Sequence, residues 1–148
     1  MSKDLIAKAD ISIRSNRSEV WKALVTPRAI KQYMFGADVE SDWSEGSDIT
    51  WKGEFNGKEY EDKGKILKIE PEQSLQYSHF SPLSGKPDTP ENYHTVSIDL
   101  ADNGDETQVS LSQNNNADEK SQNESVKNWE MMLQGLKKYL EKSSTASA

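Results

Sequence analysis

At 148 residues the chain is the size of one domain able to bury about two-thirds of its unfolded surface. The net charge of −7 and pI near 4.9 exclude nucleic acid and anionic membrane as partners, because several adjacent phosphates demand a Lys/Arg cluster that this chain lacks. The absence of cysteine excludes a disulfide framework, a thiolate nucleophile and a zinc–thiolate centre. Apolar residues are only 33% of the chain, but they fall in periodic strings, which favours a packed core over disorder. Residues 1–148 are therefore expected to form a single domain. With neither a signal-peptide core at the start nor a long apolar window, its expected location is the cytoplasm.

Leu5, Ala7, Ala9, Ile11 and Ile13 alternate with Ile6, Lys8, Asp10, Ser12 and Arg14, the period-two signature of a strand with one buried face. Asn16 with Glu19 three residues on offers a helix N-cap ahead of Val20, Trp21, Leu24 and Val25. Thr26-Pro27 then starts a second short helix whose inward side is Ala29, Ile30, Tyr33 and Met34. From residue 37 to 113 the signals are strands and turns. Val39 to Trp43 and Ile49 to Phe55 flank a Ser44-Glu45-Gly46-Ser47 turn, and Asn56-Gly57 is a hairpin signal leading into Glu59 to Ile69.

On the strand from Ile49, the residues Ile49, Trp51 and Phe55 share a face, and Gly53 there predicts a gap. Inward parity changes between Tyr60/Ile66 and Leu67/Ile69, which predicts a bulge near Gly64 or shortly after it, and with it a curved sheet. Leu75, Tyr77 and His79 alternate beyond the Glu70-Pro71-Glu72-Gln73 turn. Residues 81 to 92 hold three prolines and form the longest loop, either a surface connection or a lid. His94, Val96, Ile98 and Leu100 alternate next, and a turn at Asp102-Asn103-Gly104-Asp105 leads to Thr107, Val109 and Leu111 before Asn114-Asn115-Asn116 breaks the strand. Finally Val126, Trp129, Leu133, Leu136 and Leu140 make the apolar stripe of a helix of about 25 residues starting near Asp118, roughly 37 Å long, which needs a broad surface to lie across. Strands in a run with helices at the ends mean α+β.

Within this pattern, Val20-Trp21-Lys22-Ala23-Leu24-Val25-Thr26-Pro27, Ile30 and Gln32-Tyr33, Glu45-Gly46, Gly64 to Pro71 with Leu75-Gln76-Tyr77, Thr107 to Leu111, and the terminal Trp129, Leu133, Leu136, Lys137, Tyr139 and Leu140 carry a resemblance covering nearly the whole chain. The sequence resembles the Hsp90-ATPase-activator-like family of the START/Bet v 1-like superfamily. That resemblance implies a helix-grip fold: a curved antiparallel sheet of about six to seven strands around the long C-terminal helix, two short helices after the first strand, and a cavity between helix and sheet. It also implies a small hydrophobic ligand, lipid-like or polyketide/flavonoid-like, with an Hsp90-type chaperone as the alternative partner and a place in the stress response. The pattern departs from the family at Tyr33-Met34-Phe35, Gly46-Ser47 and Asn128.

His79 and His94 lie on the inward strand parity and are either a pair that orients a ligand's carbonyl or hydroxyl, or interior histidines satisfied by tyrosine hydroxyls or backbone. Trp51, Phe55, Tyr77, Trp129, Met132, Leu133 and Leu136 are expected on the cavity wall, with Gly53 and Gly135 removing bulk. Two histidines without HxH or HExxH spacing make no metal site, and no cofactor is expected. Glu59, Glu61 and Asp62 read as a solvated strand face, and Lys137 and Lys138 as cations complementing the helix dipole. No nucleophile elbow or phosphate loop is present. The expected function is thus non-catalytic binding by a monomer. A chaperone-associated interaction module is the alternative, followed by a cyclase or hydrolase.

Overall fold

The computed structural model describes the backbone of residues 5–147 apart from 35, 56, 82–84, 86 and 117, and the side chains there apart from those at 55, 90 and 142–147. Strand β1 (Leu5–Ile13) is followed by helices α1 (Arg17–Leu24) and α2 (Pro27–Tyr33). Strands β2 (Asp38–Ser41), β3 (Asp48–Phe55), β4 (Lys58–Glu70), β5 (Ser74–His79), β6 (His94–Asn103) and β7 (Glu106–Asn116) then precede the long helix α3 (Glu119–Ser147). The seven strands form one antiparallel sheet in the order β1-β7-β6-β5-β4-β3-β2. This is the α+β helix-grip architecture, with the apolar face of α3 laid against the sheet.

Local chemistry accounts for most of the boundaries. The Asn16 side chain accepts from the Glu19 backbone N–H at 2.8 Å, and Asp118 likewise accepts from Ser121 at 2.8 Å, so each satisfies a donor that the first turn of its helix leaves open. That bond to Ser121 also holds the Asp118 carboxyl below the usual aspartate range. Thr26 occupies the N-cap of α2 without capping it, because its hydroxyl donates back to the Lys22 carbonyl at 2.5 Å. Pro27, which has no N–H to satisfy, begins α2 regardless.

The curvature comes from β4. Residues 58–65 of this strand pair with β3 while residues 66–70 pair with β5, and the register slips between Ile66 and Lys68, a bulge where the parity change predicts one. Just before it, β4 and β5 approach so closely that a Cβ on Gly64 would stand 1.7 Å from the Ser78 carbonyl oxygen. Only glycine fits there.

The last strand runs further than its composition suggests. Asn115 takes a left-handed backbone (φ 60°), and Asn116 continues the pairing with Leu5 across a register shift. The Asn116 amide donates to the carbonyls of Leu5 at 2.8 Å and Gln113 at 3.1 Å, so side-chain bonds replace the regular ladder that three asparagines would otherwise weaken.

Ile13, Val109, Ile66, Leu133 and Leu136 are among the most buried side chains, in a single core cluster that also takes in α1, α2 and β3. Lys137 is half-buried beside this core. Its ammonium donates to the Ser12 carbonyl at 2.9 Å and to Glu141 at 2.7 Å, which ties the helix to the edge strand β1 well short of the C-terminal turn, where a dipole argument would have applied.

Candidate functional site

Two adjoining spaces lie between α3 and the β3–β5 part of the sheet. At the α1/α2 end, Leu24, Ile30, Tyr33, Leu75, Tyr77 and Met132 close around only about 20 Å³. The Tyr33 hydroxyl donates to the Ala23 carbonyl at 2.9 Å, and burial pushes the phenol well above its ordinary pKa. Toward Trp129 there is a cavity of about 120 Å³, lined by Trp51, Tyr60, Asp62, Tyr77, His79 and Trp129 with Met34 and Ala37.

Neither glycine expected to widen this space does so. A Cβ on Gly53 would meet the Tyr60 hydroxyl at 2.6 Å, so the phenol of the facing strand fills the gap. One on Gly135 would lie 3.3 Å from the Tyr33 carbonyl, because α2 packs directly on α3 there.

A run of polar and aromatic groups bounds the larger cavity. His79 Nε2 stands 2.9 Å from Asp62 Oδ2. The His79 ring meets Trp51 edge-on at 5.0 Å and stacks on His94 at 6.3 Å, while Trp51 also touches Tyr77 at 5.2 Å. His94 Nδ1 lies 3.0 Å from the Asn114 carbonyl oxygen and 3.1 Å from Gln113 Nε2. The Gln113 amide is oriented by its other end, whose Oε1 accepts the Trp129 indole N–H at 2.5 Å. The chain of contacts thus runs from β4 through β5, β6 and β7 to the helix.

Of the residues singled out from sequence, Trp51, Tyr77, His79 and Trp129 come together on this cavity. His94 stands one ring behind, against His79. Met132 belongs to the closed end, and Leu133 and Leu136 are core, at 1% and 0% exposure. The backbone of Phe55 ends β3, but its side chain lies outside the described residues. In the loop 81–92, positions 82–84 and 86 also lie outside them. The described remainder is held on the outer face by the Asp88 carboxylate, which pairs with Lys63 and accepts the Tyr93 hydroxyl at 2.7 Å. None of those described loop residues lines the cavity.

Sequence reasoning missed Asp62 and Gln113. By composition Asp62 reads with Glu59 and Glu61 as a solvated face, but a strand cannot present 61 and 62 to the same side. Glu59, Glu61 and Lys63 are exposed, whereas Asp62 shares the inward parity of Tyr60, Gly64 and Ile66, with its side chain 16% exposed. That parity was the available signal. The Asp62 Oδ1 atom is buried and meets no hydrogen-bond donor among the described residues. Among those residues no three His, Asp or Glu side chains converge as metal ligands, and no helix is long and apolar enough to cross a membrane.

The model of one family, described as activator of Hsp90 ATPase homolog 1-like protein, matches residues 14–141. The solution structure of ChR145 from Cytophaga hutchinsonii is 54% identical, covering 98% of this chain and 99% of that one with a TM-score of 0.86. The Aha1 dimer from Colwellia psychrerythraea is 23% identical over 92% of this chain and 96% of its own, TM-score 0.71. DynU16, of the dynemicin biosynthetic locus, is 16% identical over 94% of this chain and 48% of its own, TM-score 0.78. No curated protein matches the sequence.

Proposed function

The chain belongs to the activator of Hsp90 ATPase homolog 1-like family, and from that premise we propose that it binds a small hydrophobic or aromatic molecule, without catalysis, in the cavity between α3 and the sheet. The observation that carries this reading is the cavity beside Trp129, where four aromatic side chains surround a space left open while the neighbouring α1/α2 end is filled. Such a site supplies ring faces for affinity and a small number of polar groups for orientation. Its volume lies below the ~300–1,000 Å³ of pockets for drug-sized ligands, so a compound of several rings would enter only by displacing a wall side chain such as Met34.

Titration with hydrophobic and polyphenolic compounds, followed by the indole N–H resonances of Trp51 and Trp129, tests this. Shifts confined to exterior residues would sink it. We place the protein in the cytoplasm as a monomer; the Colwellia neighbour, described as a dimer, makes a dimeric mass in light scattering the competing result.

Two further readings each have one observation behind them. The family description favours a chaperone partner, and an ATPase assay with bacterial Hsp90 that gives no stimulation would remove that reading. The Asp62–His79 pair beside the cavity is the acid/base arrangement a cyclase or hydrolase needs. Turnover of a cyclisable or hydrolysable substrate that is lost in His79→Ala would install catalysis instead.

A further inference from the structure

The cavity beside Trp129 is walled by aromatic rings and sits in a negative field. Trp51, Tyr60, Tyr77 and Trp129 come to it from β3, β4, β5 and α3, so rings stand on several sides of one small space. Asp62 adds a carboxylate to this lining, and neither lysine nor arginine joins it. That carboxylate is no hydrogen-bond acceptor for an occupant. Its Oδ2 is engaged by His79 Nε2 at 2.9 Å, and its Oδ1 is shut away from the cavity as well as from any donor among the described residues. Its charge still acts through space, because an interior screens charge far less than water does. The effect is visible at Tyr60, whose phenol is pushed above its ordinary pKa by burial and then by the charges of Asp62 and Asp38. A field that resists a phenolate favours a cation.

We propose that this cavity holds a methylated ammonium group, the cationic end of a small molecule. The proposal deepens the reading of the cavity as a site for a small apolar molecule and rests on it. A quaternary nitrogen is clad in methyl groups and has no N–H, so it needs no acceptor: the negative faces of the rings attract it, and the carboxylate adds its charge without contact. A primary ammonium would bring three donors, none of which the carboxylate could take. Size agrees, because about 120 Å³ is close to the ~150 Å³ apolar cavity that takes up benzene, and a tetramethylated nitrogen is of similar bulk to that ring. Tyr60, Asp62, His79 and Trp129 are half-buried, so this end of the interior reaches solvent and the rest of the molecule can extend outward.

Choline and neohexyl alcohol, its uncharged carbon isostere, share one shape and so separate charge from fit. Each is titrated into the full chain at matched ionic strength while the Trp51 and Trp129 indole resonances are followed. Choline is expected to bind about tenfold tighter, as cation–π contacts in a desolvated site give. Ethanolamine, a cation with N–H donors to satisfy, should bind about tenfold more weakly than choline; equal affinities would overturn the quaternary assignment. In Asp62→Asn, checked for a native amide spectrum, the preference for choline over the alcohol should narrow to about threefold. Indole shifts with the alcohol or with polyphenols that choline does not match overturn the cationic assignment and leave the apolar site standing. No indole shift with any of these compounds overturns both. Because the comparisons on the natural protein are decisive alone, a misfolded Asp62→Asn does not shelter the proposal.

Discussion

The two ends of the space between α3 and the sheet are built from similar residues and end in opposite states. At the closed end Tyr33, Tyr77, Leu75 and Met132 fit until about 20 Å³ remains. At the other end Trp51, Tyr60 and Trp129 leave about 120 Å³. Tryptophan content does not explain the difference, since each end is lined by two, Trp43 and Trp51 at the closed end and Trp51 and Trp129 at the open one. Polar tethering does. Trp129 is drawn to Gln113 and His79 to Asp62, so neither ring is free to collapse into the gap. At the closed end the one tyrosine tether, from Tyr33 to the Ala23 carbonyl, pulls the ring into the core. Aromatic bulk fills space only where hydrogen bonds let it.

The strongest way to break the comparison is to open the closed end. Met132→Ala removes a buried side chain there and should cost about 2–5 kcal/mol in urea unfolding, the range for a buried methionine whose surroundings relax incompletely. A much smaller loss would mean that the closed end can collapse as the open end does not. Gln113→Ala strips the indole of its acceptor, for an expected loss of about 1–3 kcal/mol. Its more telling effect is on shape, since an untethered Trp129 should swing inward, which a changed Trp129 indole resonance in the free protein would report.

The gentlest probe is alkaline titration. Burial raises the pKa of Tyr33 and Tyr77, and burial followed by the charges of Asp62 and Asp38 raises that of Tyr60. A folded-state pKa above the unfolded value, about 10, gives stability that is whole below that value and lost as pH rises through the elevated one. Ultraviolet difference spectra should therefore show Tyr60 ionising in the folded protein, while Tyr33 and Tyr77 ionise only as it unfolds. Early ionisation of Tyr77 would place water at the closed end.

The buried core was legible in the sequence because it is made by periodicity. Leu133, Leu136 and Leu140 recur at helical spacing, Ala7, Ala9 and Ile13 at strand spacing, and the parity change on β4 marked its bulge. Trp51, Tyr77, His79 and Trp129 were likewise named from parity. What could not be read were the partners that hold them. Gln113 precedes three asparagines that looked like the end of a strand, and its value depends on an indole from a helix that no spacing rule brings alongside. Asp62 was lost for a different reason: a run of charged residues reads as solvated when composition is weighed ahead of alternation. The volume of the cavity was beyond sequence, because Gly53 and Gly135 are filled by Tyr60 and by the backbone of α2, neighbours across space.

The close approach at Gly64 also has a bearing on the charge at the cavity. A strand that slips by one residue exchanges its faces, so the next register of β4 would offer the cavity Glu61 or Lys63 in place of Asp62, a longer acid or a cation. The contact with the Ser78 carbonyl, which tolerates no side chain, allows only one register. A residue with no functional group of its own therefore selects the charge that faces the cavity.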